Sequence, residues 1–292
     1  MAKTETLGRG HTVRVMPTES ERKRNRLLAS LAATAVLVGG AFYARVAAQS
    51  GLNSAAGRGD TESVKRYLGA GYLGISVQSA LQSAIKEGRG NIVRHLLATG
   101  LVSPVDGLSA AAQYGQVHIL RLLMEKGANV SGEMGGALLW RAAQSGSKDT
   151  VYLLLQNGAK KDLPNQLDDS LTPLMYAAHS GQAGVVKALV DAGANVKVCS
   201  TQGRTALMIA AAWNDPAACK YLIQARSEIN AQDKRGQTAL MSAAVVGNYP
   251  ALKYLLAAGA NTKVKDAEGK TALDHAIEKG DTKSANILRS AR

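Results

Sequence analysis

Ser200-Thr201-Gln202-Gly203-Arg204-Thr205-Ala206-Leu207-Met208-Ile209-Ala210-Ala211-Ala212-Trp213-Asn214-Asp215-Pro216-Ala217-Ala218-Cys219-Lys220-Tyr221-Leu222-Ile223 reads as two short helices with the turns that set them. Gly203 supplies a tight turn free of a Cβ, and the Thr205 hydroxyl is placed to cap the first helix. Leu207, Ala210 and Ala211 give that helix a small inner face. Asn214-Asp215-Pro216 breaks it, with Pro216 suited to the first turn of the next. Cys219, Leu222 and Ile223 then fall at i, i+3 and i+4, one apolar stripe of a second helix. Arg226 to Ala231 leaves in an extended stretch.

The same grammar returns every 33 residues, at Thr172-Pro173-Leu174, Thr205-Ala206-Leu207, Thr238-Ala239-Leu240 and Thr271-Ala272-Leu273. A second phrase keeps pace at Gly127-Ala128-Asn129, Gly158-Ala159, Gly193-Ala194-Asn195 and Gly259-Ala260-Asn261. Fainter copies lie upstream, in Leu52 to Gly69, Ser79 to Gly100, Ser109 to Gly127 and Leu138 to Gly158. A fixed period of this size marks a stacked array. Eight units fill residues 49–292, the first two degenerate in the way of terminal caps. One Phe and two Trp in 292 residues suit a thin helical layer filled by Leu, Ala and Val. Eight layers spaced by a helix-packing distance give a body about 80 Å long.

Asp233-Lys234-Arg235-Gly236-Gln237-Thr238-Ala239-Leu240 and Asp266-Ala267-Glu268-Gly269-Lys270-Thr271-Ala272-Leu273 carry a family resemblance: the unit resembles the ankyrin repeat. That resemblance implies an all-α solenoid of about eight helix-turn-helix units with short hairpin fingers. It also implies a concave face made from finger tips and the exposed side of each first helix. The His that follows Pro-Leu in the family pattern is replaced by Met175, Met208, Met241 and Asp274, which puts the bracing of the turns in question. Trp140 stands at the same position and is expected to pack inward. Between Gly158 and Gly193 the spacing is 35, so the Lys160 to Ser170 finger is expected to hold two extra residues.

The first 50 residues fall outside the array. Residues 1–26 read as a basic, unstructured tail, with Lys3, Arg9, Arg14, Arg22, Lys23, Arg24 and Arg26. Leu27 to Ala44 then runs for 18 residues without a charge, the length that a spanning helix needs. The domain reading is therefore a tail, a transmembrane helix or signal-anchor over 27–48, and the repeats over 49–292. The positive-inside rule keeps the basic side cytoplasmic and puts the repeats outside the cytoplasm, in a periplasm if the source is bacterial. Val46-Ala47-Ala48 offers a competing reading as a signal cleavage site that would release a soluble, secreted binder or effector.

Residues 51–292 hold 27 basic and 19 acidic side chains, an excess spread over many repeats. No basic stripe with interleaved aromatics appears, so nucleic acid is not an expected partner. His11, His95, His118, His179 and His275 are scattered without metal-ligand spacing. The glycines belong to repeat turns and not to a phosphate loop, and Asp168-Asp169 has no partnered base in the sequence. Neither a catalytic centre, a metal, a cofactor nor a small-molecule substrate is expected. Cys199 in a finger and Cys219 on a second-helix stripe are expected to be two free thiols.

The family's concave face, carried over by position, falls on the ends of the first helices and on the fingers. Tyr114, His179, Trp213, Val245 and Val246 lie at the helix ends, and Arg204, Lys234 and Arg235 in the fingers. An apolar cluster with a cationic rim is the pattern of an interface, with Trp, Tyr and Arg its usual anchors. The expectation is a non-catalytic protein tethered to a membrane through residues 27–44, binding a protein partner on this face.

Overall fold

The computed structural model of the protein describes residues 4–7, 11–14, 19, 41–70 and 75–291. Among the described residues, eight helix pairs follow one another. In the first, helical backbone over 41–58 (α1) is followed by α2 (Thr61–Gly69). The next three pairs are α3 (Val77–Lys86) with α4 (Gly90–Ala98), α5 (Leu108–Gln113) with α6 (Val117–Glu125), and α7 (Gly132–Ser145) with α8 (Lys148–Gln156). The last four are α9 (Pro173–His179) with α10 (Ala183–Asp191), α11 (Ala206–Ala212) with α12 (Pro216–Gln224), α13 (Ala239–Val246) with α14 (Tyr249–Ala257), and α15 (Ala272–Glu278) with α16 (Thr282–Ser290). Odd helices from α3 onward pack on the odd helices beside them, and even helices on even, which makes a two-layer stack.

The phrase that sets the period acts as a cap. Thr172, Thr205, Thr238 and Thr271 each accept a hydrogen bond from the amide three residues on, which satisfies one of the open donors at a helix start. The core is one continuous cluster that runs from Leu52 to Leu288 and is filled mainly by Leu, Ala, Val and Ile. Met175, Met208 and Met241 lie within it. Cys219 is buried there and Cys199 is exposed, both as free thiols.

Bracing of the turns persists in altered form. Trp140 donates its indole N–H to the Leu163 carbonyl at 2.6 Å. One position later in the phase, Tyr176 donates to Asp168 and the His275 imidazole meets Asp266 Oδ2 at 2.7 Å. Each bond ties a first helix to its own repeat's finger or to the next one, the work expected of the missing His.

Neighbouring fingers are stitched by backbone. Thr201 donates to the Asp169 carbonyl at 3.0 Å, Lys234 to Gln202 at 3.0 Å and Ala267 to Arg235 at 2.9 Å. Gly236 makes one such approach possible: its φ is +72°, and a Cβ there would stand 2.9 Å from Asp266 Cα. The finger before α9 is longer by two residues, as the 35-residue spacing predicts. Its closing bond runs from the Asn165 amide to the Leu171 carbonyl, whereas the next finger closes from Ser200 to Arg204. The extra length holds Asp169 and Ser170 at φ of 50° and 52°.

Outside the array, Thr4–Leu7 and His11–Arg14 pair as an antiparallel ladder with Thr4 opposite Arg14 and Leu7 opposite His11. The sequence reading had an unstructured tail here. Two segments with β-branched residues around Gly8-Arg9-Gly10 favour a hairpin instead. Of the predicted spanning segment, residues 27–40 lie outside the described residues. Among the described residues no helix is long and apolar enough to cross a membrane.

Candidate functional site

The predicted contact residues divide into two parallel strips. Tyr114 and Trp213 are the C-terminal caps of α5 and α11, and His179, Val245 and Val246 are last-turn residues of α9 and α13. Arg204, Lys234 and Arg235 lie in the fingers ahead of α11 and α13. Nine residues of mostly helical rise separate Arg204 from Trp213, about 13 Å along the helix. The cations therefore do not ring the apolar cluster, as the sequence suggested. They form a separate finger strip, because each first helix has its finger at one end and its last turn at the other.

Within the helix-end strip, the structure brings His179 and Trp213 together. Their ring centroids are 4.2 Å apart with the planes tilted by 55°. The contact joins adjacent repeats, yet Trp213 keeps 54% of its surface exposed. Val246, in the corresponding place one repeat on, is 43% exposed, and Val245 is half-buried. Tyr114 is 42% exposed but belongs to α5. Ser145 and Ser180 occupy the two repeats between it and Trp213, so at about 10 Å per layer Tyr114 sits about 30 Å away.

The finger strip is held by ion pairs. Arg204 Nη2 lies 3.0 Å from Asp169 Oδ2. Asp169 also accepts from the Gln202 amide at 3.1 Å and from the Thr201 hydroxyl. Burial alone would raise the Asp169 carboxyl, but hydrogen bonds from Thr201 and Arg204 hold it below the ordinary carboxylate value. The long finger thus grips its neighbour, and Arg204 is engaged inside the molecule. Arg235 reaches Glu268 at 3.9 Å and stays mostly exposed, while Lys234 is exposed. Among the described residues no group of three or more His, Cys, Asp or Glu is placed to hold a metal ion.

Asp266 and His275 form a buried carboxylate–imidazole pair, a contact that the sequence does not show. Both belong to the last repeat, where the Asp of the finger phrase meets the histidine of α15, one of those the sequence shows only as scattered. Burial pushes the Asp266 carboxyl up, and the Lys270 and Glu268 amides together with His275 bring it below its usual value. A carboxylate with a depressed folded pKa contributes stability above the unfolded value of about 3.9, and that contribution is lost as pH falls through the folded value. Protection of the amides in residues 262–291, taken relative to the intrinsic exchange rate at each pH, is therefore expected to fall on acidification below about pH 4, and Asp266→Asn should flatten that dependence relative to the native chain.

With fold and surface in view, the chain matches the family described as ankyrin repeats in three copies, over residues 103–165, 139–233 and 214–291. It belongs to the ankyrin repeat family. It is similar to an ankyrin repeat domain-containing protein, SAT10, of Stachybotrys chartarum, with 40% identity over 94 residues that make up 31% of this chain and 5% of the relative. It is also similar to a probable E3 ubiquitin-protein ligase, XBOS34, of Oryza sativa subsp. japonica, with 38% identity over 77 residues, 25% of this chain and 15% of the relative. The likeness spans only a small part of either relative.

Proposed function

We propose that this protein is a non-catalytic, membrane-tethered interaction module that holds a protein partner on the helix-end strip centred on Trp213. Ankyrin repeat arrays are protein-interaction folds, and the His179–Trp213 pair carries the choice of face. A Trp ring 54% exposed, yet held against a neighbouring repeat by a second ring, presents large contact area with little rotamer freedom left to lose. Val246 extends the apolar surface by one repeat. Lys234 and Arg235 supply positive charge along the finger strip, suited to steering an acidic partner.

The tether reading rests on the 18-residue apolar run, its basic flank and the positive-inside rule, with the repeats extracytoplasmic. A secreted form cut near Ala48 has less support. The 18-residue apolar run is longer than the roughly 7–15 residues of a signal-peptide core, and 26 residues precede it.

Two placements of a photo-crosslinking residue test the face. A probe at position 213 is expected to trap a partner, and one at the outer-helix position of Tyr254 is not. Trp213→Ala should then weaken affinity for the trapped protein about tenfold. Adducts from position 254 alone would move the binding face to the second helices. The native thiols report topology in the same cells. A membrane-impermeant maleimide should label Cys199 from outside the cytoplasmic membrane. Cys219, whose thiol burial pushes up to about 12, should stay unlabelled. Labelling of Cys199 only after that membrane is broken would place the repeats in the cytoplasm.

A further inference from the structure

Helix α1 starts further ahead of its repeat phase than any other first helix among the described residues. The repeat phase places its expected start at Gly51, yet helical backbone is continuous over 41–58. Its C-terminal half is locked into the array. Leu52, Ala55 and Ala56 are fully buried, and a Cβ on Gly51 would meet Tyr67 Oη at 2.2 Å. Gln49 accepts from the Ser76 amide at 2.5 Å and donates to Ser79 Oγ at 2.7 Å, which ties the helix to the start of α3.

The N-terminal half has the opposite character. All seven residues from 41 to 47 are exposed, and all but Arg45 are apolar or aromatic. Phe42, Tyr43 and Val46 keep 63%, 75% and 50% of their surface exposed. A helix surface this apolar is favoured where something apolar surrounds it. The charge-free run Leu27 to Ala44 ends inside this same stretch. Four residues, about 6 Å of helix, separate its last residue, Ala44, from Ala48, the first buried in the array.

We infer that Phe42, Tyr43 and Val46 sit in the interfacial layer of a lipid bilayer, and that α1 carries the array off that surface as one rigid helix with no flexible linker. The inference rests on the membrane tether proposed above. Aromatic rings at the end of an apolar run, followed by an Arg, match the preference of such side chains for the headgroup boundary. The bilayer is the occupant favoured here because the exposed face continues directly from the apolar run. The array is then held against the membrane at a fixed angle, so a partner is met close to the lipid surface.

The test uses the full chain in vesicles of phosphatidylcholine and phosphatidylglycerol, with Cys199→Ser and Cys219→Ala as background and single nitroxide labels at positions 42, 46, 50 and 114. Labels at 42 and 46 are expected to lose broadening by a water-soluble nickel complex and gain broadening by oxygen. Labels at 50 and 114 should stay open to nickel. The label at 46 should also move as slowly as the one at 50. A chain retained by the vesicles after alkaline carbonate washing, but with 42 and 46 as open to nickel as 114, overturns this inference and leaves the tether standing. Fast motion at 46 overturns the rigid connection. Loss of the chain to the carbonate wash overturns the tether, and the inference with it.

Discussion

Replacing Arg226-Ser227 by Gly-Ala is expected to stabilise the protein by about 2 kcal/mol, read as a higher urea midpoint with an unchanged slope. Four sister repeats have glycine at the first position: Gly127, Gly158, Gly193 and Gly259, with φ of 97°, 80°, 76° and 86°. Arg226 holds the same left-handed conformation at 62°. A side chain there costs roughly 1–2 kcal/mol, of which the greater freedom of glycine in the unfolded chain takes back about half. Sister repeats carry Ala128, Ala159, Ala194 and Ala260 at the second position. Ser227 is 6% exposed there, and its Oγ has no hydrogen-bond partner. A buried hydroxyl left unpaired costs roughly 1–3 kcal/mol, which alanine removes. The two single variants should each deliver about half of the gain. A double variant no more stable than the native chain would mean that the Arg226 side chain makes compensating contacts of equal size.

Much of the array could be read before the fold was known, because its signals are local. A threonine that caps a helix, a glycine that closes one and apolar pairs at i and i+3 act within a few residues, and they return in phase. What escaped reading depends on reach between repeats. The brace lost with the family His reappears at Trp140, Tyr176 and His275, and only the spatial position of the finger tells which side chain can reach it. Arg204 and Trp213 look like neighbours in sequence, yet they occupy opposite ends of α11. The extension of α1 was hidden for a different reason. Apolar composition marks a membrane segment and a packed helix alike, so the join between the two leaves no mark in the sequence.

The second large effect comes from a glycine pair that reads as a turn and is found inside a helix. Gly135 and Gly136 precede the expected start of the fourth repeat's first helix, but α7 begins at Gly132 and runs for 14 residues, twice the length of α9, α11 or α15. Its added turns replace a finger and lie against the chain that leaves α8. Gly132 donates to the Gly158 carbonyl at 2.9 Å and accepts from the Lys160 amide at 3.0 Å. A Cβ on Gly135 would stand 1.9 Å from the Val130 carbonyl oxygen and 2.7 Å from Ala159 Cβ. The first obstacle is backbone, which cannot rotate away as a long side chain can. Gly135→Ala is therefore expected to cost about 3 kcal/mol through forced displacement of packed chain. That outweighs the gain of up to about 1 kcal/mol that alanine brings to a helix. Gly69 provides the contrast, since it lies in α2 with nothing within 4 Å of an added Cβ. Gly69→Ala should leave the urea midpoint unchanged or raise it, so one substitution made in two helices is expected to destabilise at one site and not at the other. Equal effects at both sites would mean that helix propensity, and not the close approach of the Val130 carbonyl and Ala159, sets the residue at position 135.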